Sequence, residues 1–221
     1  MGAAGLFAGT LAAMTNPTPT SAADDACADR SEETSFTLNL ITTRQNISPR
    51  RLVAPGPSAD QTHDLFLAAA AAPDHGEIRP WRFVLVPTDK RPLLADVFAQ
   101  ALVDRDAEAT EQQIASAREK AFRAPFLALA IARLGPAEPD IDPLERMVSL
   151  GAAIQNILLC AHSMGFGSGL TSGQAMRAEP LRQLFALSEG EQAVCCINVG
   201  TVSKRKPARV RPAPLDFVGS L

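Results

Sequence analysis

Residues 68–83 read AAAAAPDHGEIRPWRF, and this stretch decides the fold. A helix of small residues meets Pro73, an Asp74-His75-Gly76 turn follows, and Pro80-Trp81-Arg82-Phe83 feeds an apolar strand. Proline stops a helix because its ring clashes with the preceding turn and it donates no hydrogen bond. The chain has three histidines and a single tryptophan, and one of each falls in this turn. A helix-to-strand turn on a rigid scaffold is where binding side chains concentrate.

Upstream, Ser58-Ala59-Asp60-Gln61 reads as a helix start, and Leu65, Phe66, Ala69 and Ala72 carry the helical period to Pro73. Residues 36–44 predict a short helix, and 45–57 a proline-rich loop holding Arg50 and Arg51. Downstream, 83–86 predicts a buried strand, 91–106 and 110–123 two helices, and 126–134 a core strand. The longest helix is expected over 144–164, with Leu150, Ile154, Ile157, Leu158 and Ala161 on one face and Gly165 ending it. A glycine-rich loop, GFGSGLTSG at 165–173, a helix at 180–186, a last strand at 193–202 and a basic tail at 204–214 complete the pattern. Strands and helices mix without regular alternation, which indicates an α+β fold.

The 221 residues suffice for one sizeable domain. A net charge of −3 and a pI near 5.6 argue against nucleic-acid binding, which needs a basic excess. Four cysteines, Cys27, Cys160, Cys195 and Cys196, have no metal-ligand spacing and read as reduced thiols of a cytoplasmic protein. No tyrosine is present, so Tyr-Lys dehydrogenase chemistry is excluded. Residues 1–35 read as a disordered leader, and its apolar start is too short to span a membrane.

Three constellations carry candidate chemistry. Arg44, at a helix end beside Gln45 and Asn46, presents a planar fork and two amides to a phosphate, or else is a solvated surface group. The 165–173 loop can bring backbone N–H groups close to a ligand, or simply link two core elements. It does not match a dinucleotide or P-loop fingerprint, because it follows a helix. His75 has no nucleophile or second histidine at metal spacing, so neither a triad nor a metal site is expected.

Together these pieces resemble the nitroreductase-like flavoproteins, in particular a small branch marked by APDHG and PWRF. The matching residues are Thr43-Arg44-Gln45-Asn46, Ala72-Pro73-Asp74-His75-Gly76, Pro80-Trp81-Arg82-Phe83, Gly165-Phe166-Gly167, Thr171-Ser172-Gly173 and Asn198-Val199-Gly200-Thr201. They cover the chain from about residue 36 onward. The resemblance implies a sandwich around a mainly antiparallel sheet and an intimate homodimer with FMN at the subunit interface. It implies an NAD(P)H oxidoreductase acting on a nitro compound, quinone or similar small oxidant. Flavin-consuming or dehalogenating chemistry, and a flavin-binding protein with little turnover, are the alternatives.

It further implies FMN contacts from Arg44, Gln45 and Asn46, where relatives carry Arg-Arg-Ser, and from His75, Thr171, Ser172 and Gly173. Lys204 or Arg205 is expected to supply the charge missing at Gln45 and Thr171. Residues Ala161, His162, Ser163, Met164, Gly165 and Phe166 lie where relatives meet NADH or NADPH. The flavin is expected to carry the chemistry, so no catalytic side chain is assigned.

Overall fold

The computed structural model describes residues 31–135, 140–205, 207 and 209–221. In these, α1 (Glu32–Thr43) leads through β1 (Leu52–Val53) to α2 (Ala59–Ala70) and β2 (Trp81–Leu85). Next come α3 (Arg91–Val103), α4 (Glu111–Glu119) and β3 (Phe126–Arg133). The order closes with α5 (Pro143–Ser163), β4 (Gly167–Thr171), α6 (Glu179–Leu184) and β5 (Glu191–Val202). Contacts divide the chain after Leu38, and the sheet with its covering helices belongs to the second unit, Asn39–Leu221.

The sheet is antiparallel at every pairing: β5 pairs with β3, β4 and β1, and β3 pairs with β2. Side chains alternate across a strand, so one apolar run can serve two cores. Phe126, Ala128, Ala130 and Ala132 of β3 face Leu65 of α2 and Leu150, Ile154 and Ile157 of α5. Leu127, Leu129 and Ile131 face the opposite way, against Leu94 of α3 and Leu181 of α6. Burial on both faces is why the 126–134 run is almost continuously apolar. The α+β class expected from the sequence is the observed one.

Local signals set the helix ends. The Ser58 side chain accepts from the Gln61 N–H while the Gln61 side chain answers the Ser58 N–H, a reciprocal capping box. The Asp142 side chain caps α5 by accepting from Leu144 N–H at 2.7 Å, and Pro143 opens the helix without losing a bond. At the other end Gly165 takes φ +85°; Phe166 N–H reaches Ala161 O and Gly165 N–H reaches His162 O. That double closure is the Schellman arrangement, which places the His162 ring on the last turn of α5. Length and apolarity alone would let α5 cross a membrane, but its Leu150, Ala153, Ile154, Ile157 and Leu158 pack on the sheet.

Several expectations need correction. The 165–173 segment is not a loop: residues 167–171 form β4, paired with β5 from Gly200 to Cys196. Its glycines answer packing, because a Cβ at Gly167 would strike Val202 and one at Gly169 would strike the carbonyl of Ile47. The proline-rich 45–57 segment contains β1, two residues that become a strand only by pairing with Thr201 and Val202. Helix α1 begins at Glu32, inside the segment expected to be disordered, while residues 1–30, including Cys27, lie outside the described residues.

Polar side chains lock the frame. Arg82 on β2 donates from Nε and Nη2 to the two carboxylate oxygens of Glu191 on β5, each at 2.8 Å. This bidentate bond, with a further one from Ser188 N–H, holds the Glu191 carboxyl down at about 2 against its burial. Arg91 is 3% exposed and donates to the carbonyls of Val86, Ala121, Ala124 and Pro125. Cys195 and Cys196 point into opposite cores, and burial pushes their thiols up to about 11 and about 12.

Candidate active site

Where α1 ends and α5 ends, Arg44, Gln45, His162, Phe166, Ser168 and Arg205 line a pocket of about 230 Å³ that has no acidic residue in its wall. Two of its polar atoms are buried without a hydrogen-bond partner among the described residues: Nη1 of Arg44 and Oγ of Ser168. A buried polar atom left unpaired costs about 1–3 kcal/mol, so two on one wall are a directional statement about the ligand. Burial, and secondarily the nearby Arg211, lowers the Arg44 pKa. Burial also lowers that of His162, helped by the charges of Arg44 and Arg205. This is a cationic pocket with donors to spare, fitted to an anion such as a phosphate.

The backbone around the pocket is tightly specified. Arg44 O accepts from Arg211 Nη2 at 2.8 Å, which ties the tail to the end of α1. Thr43 Oγ1 donates to Asn39 O at 2.7 Å and lies 2.9 Å from His162 Nε2. With its single proton already committed, Thr43 must accept from His162, so Nε2 of His162 carries a proton. Asn46 turns towards the sheet: its Oδ1 accepts from Leu170 N–H at 3.1 Å, and Ile47 N–H donates to Ser168 O. It therefore pins β4 beside Arg44.

Thr171, Ser172 and Gly173 lie at the other end of β4 and open onto a second cavity, of about 630 Å³, under α3 and α4. Thr171 Oγ1 accepts from the buried Asn198 amide at 3.0 Å, and Ser172 Oγ donates to Val194 O. The two pockets are thus joined by β4, about 13 Å at the usual strand rise.

His75 stands apart. Its Nδ1 lies 2.6 Å from Glu145 Oε1, near the start of α5, while His162 lies near its end. That separation is about 25 Å at the helical rise. The turn is held in an uncommon backbone, with Glu77 at φ 54° and Arg79 at φ 45°, and Asp74 Oδ2 accepts from Arg79 N–H. One chain alone therefore does not bring His75 to Arg44.

Of the other expected positions, Arg205 lines the cationic pocket and Lys204 is exposed. The 161–166 segment divides: Ala161 is core, Met164 packs against that core, Ser163 caps back onto Cys160 O, and His162, Gly165 and Phe166 face the pocket. Trp81 packs against the α2–α5 core. Ser168 was not singled out by sequence; a lone serine among glycines signals nothing until its unpaired hydroxyl is seen. No group of three or more potential metal ligands occurs among the described residues.

The family model described as "Nitroreductase family" matches residues 43–201, which run from the end of α1 through β1, β2, β3 and β4 to the last residues of β5. The chain belongs to the nitroreductase family. A Haemophilus influenzae protein named "Putative NAD(P)H nitroreductase" is 31% identical over 182 residues, covering 82% of this chain and 97% of that protein. Among solved structures, a nitroreductase-like family protein from Bacillus cereus superposes with a TM-score of 0.70 at 20% identity, covering 83% of this chain and 94% of that one. An FMN-dependent nitroreductase from Clostridium difficile has a TM-score of 0.56 at 17% identity, covering 78% and 91%. Membership makes this chain an oxidoreductase of nitroreductase fold.

Proposed function

We propose that the protein is an FMN-dependent NAD(P)H oxidoreductase that reduces a nitro compound, quinone or similar small oxidant. The observation that carries the reading is the acid-free pocket with the orphaned Arg44 Nη1 and Ser168 Oγ, which suits the FMN phosphate. When bound, FMN would supply the two-electron relay from NAD(P)H to the oxidant. Arg44 and Arg205 hold the phosphate by charge, Ser168 donates its hydroxyl, and His162 offers a further proton as its pKa recovers beside an anion. Thr171, Ser172 and Gly173, at the far end of β4, meet the ring end of the cofactor. The resemblance of the 161–166 segment and the relatives' names favour a nicotinamide nucleotide as donor.

A homodimer belongs to this reading. Leu144 and Val148 on the outer face of α5 are 77% and 71% exposed, and Gly151 continues that face. Two copies of α5 packed antiparallel about a twofold axis would bring each His75–Glu145 end to the partner's Arg44–His162 end. His75 then serves the partner's cofactor rather than its own chain's.

The test is anaerobic titration of purified protein reconstituted with FMN. Bleaching of the flavin absorption band by NADPH or NADH is expected, with colour returning on addition of a quinone. Protein that takes up no FMN sinks the proposal.

A further inference from the structure

The 630 Å³ cavity beyond Thr171 has a charge pattern that the cofactor does not use. Three cations line it, Arg105, Lys120 and Arg123, against the single carboxylate of Asp106. Asp106 is engaged in its own turn, accepting from Glu108 N–H. Arg105 and Lys120 have no ion-pair partner among the described residues. Arg123 reaches Glu119 at 3.4 Å through Nη2, but its Nε is buried without a partner. In a chain whose net charge is −3, Arg105 and Lys120 leave a local excess of positive charge. Below it, Phe98, Leu127 and Met176 provide an apolar floor. An apolar wall beside cationic side chains suits a ring carrying an anionic group.

We propose that this cavity binds a small aromatic or quinonoid carboxylate, and that this anion is the preferred electron acceptor. The proposal rests on the oxidoreductase reading for the second half of that statement only. The ring lies over Phe98 and Leu127 and the carboxylate is held by Lys120, Arg105 and the free Nε of Arg123. With a nitroaromatic acid, the nitro group takes a hydride equivalent from NAD(P)H and one proton from solvent, and one nitrogen–oxygen bond breaks as water leaves. The balance is Ar–NO2 + NAD(P)H + H+ giving Ar–NO + NAD(P)+ + H2O.

Two measurements decide it. Calorimetric titration with benzoate and with the neutral benzamide reads the cavity without turnover; benzoate is expected to bind about tenfold more tightly. Arg105→Ala with Lys120→Ala, both exposed and away from the packed cores, should weaken benzoate about fivefold or more and leave benzamide within about twofold. Turnover of 4-nitrobenzoate against 4-nitrobenzamide should show the same preference in kcat/KM, reduced in the double variant. Equal binding of acid and amide, or benzoate binding untouched by the double variant, overturns the anionic site. Selective benzoate binding with no preference in turnover overturns the acceptor role. Protein that takes up no FMN removes the FMN-dependent reading and the acceptor role together, while the benzoate titration still decides the site.

Discussion

Replacing Arg44 by alanine should have opposite consequences for binding and for folding. In the chain alone the guanidinium is half-buried and its Nη1 has no partner, so it contributes desolvation cost without a compensating bond. Such an orphan costs about 1–3 kcal/mol when fully enclosed; for a half-buried group about 1 kcal/mol is the appropriate end of that range. The lost aliphatic packing offsets part of it, and the Arg211 contact survives because it is made to the Arg44 carbonyl. Arg44→Ala is therefore expected to leave FMN-free stability unchanged or raised by up to about 1 kcal/mol, a Tm rise of about 2–4 °C at most. FMN affinity should fall about tenfold or more, since a charge-assisted bond to phosphate is worth about 1.5–3 kcal/mol. FMN-stripped protein would be melted by circular dichroism, and FMN binding followed by quenching of flavin fluorescence. Affinity within twofold of the parent would refute the phosphate assignment. A loss of more than about 2 kcal/mol in FMN-free stability would show Arg44 to be a structural anchor instead.

Three further outcomes are expected. Gly169→Ala should separate β4 from the Arg44 segment, because its Cβ meets backbone that cannot yield; a stability loss of about 2 kcal/mol and weakened FMN binding, by urea melt and fluorescence titration, check it. Glu191 has a folded pKa of about 2, depressed from 4.5, so its stabilisation is complete above about pH 4.5 and is lost as pH falls towards 2. Glu191→Gln should cost about 2 kcal/mol at pH 7 and flatten the acid arm of the stability profile, measured by urea melts from pH 7 to pH 3; an unchanged acid arm contradicts the linkage. Val148→Glu, at a position 71% exposed, should halve the mass seen by light scattering while leaving the chain folded; an unchanged dimer moves the interface off α5.

What could be read from the sequence was what neighbouring residues decide among themselves. Ser58 with Gln61, and Gly165 after Met164, set helix ends through bonds spanning a few positions, whereas the Asp142 cap and Pro143 start of α5 came from the structure. The double-faced burial of β3 showed directly as an apolar run. β4 did not show, because its glycines depress strand propensity and are required by Val202 and Ile47, both distant in sequence. β1 is too short to have a period and exists through β5. At the site, Arg44 carried a family cue and Arg205 was one of two candidates in the basic tail, whereas Ser168 became visible only through an unpaired hydroxyl. The distance between His75 and Arg44 is set by the length of α5, and no local pattern announces it.

β4 also works as a gauge. It starts in the cationic pocket at Gly167 and ends at Thr171 beside the larger cavity, with Asn46 and Asn198 fastening it on either side. A single residue inserted between these fastenings would move the two pockets apart by about 3.4 Å and turn every side chain beyond it to the opposite face. The spacing between the two binding ends is thus recorded in the count of residues along one strand. This segment can vary in composition only where both fastenings and the close approach at Gly169 survive.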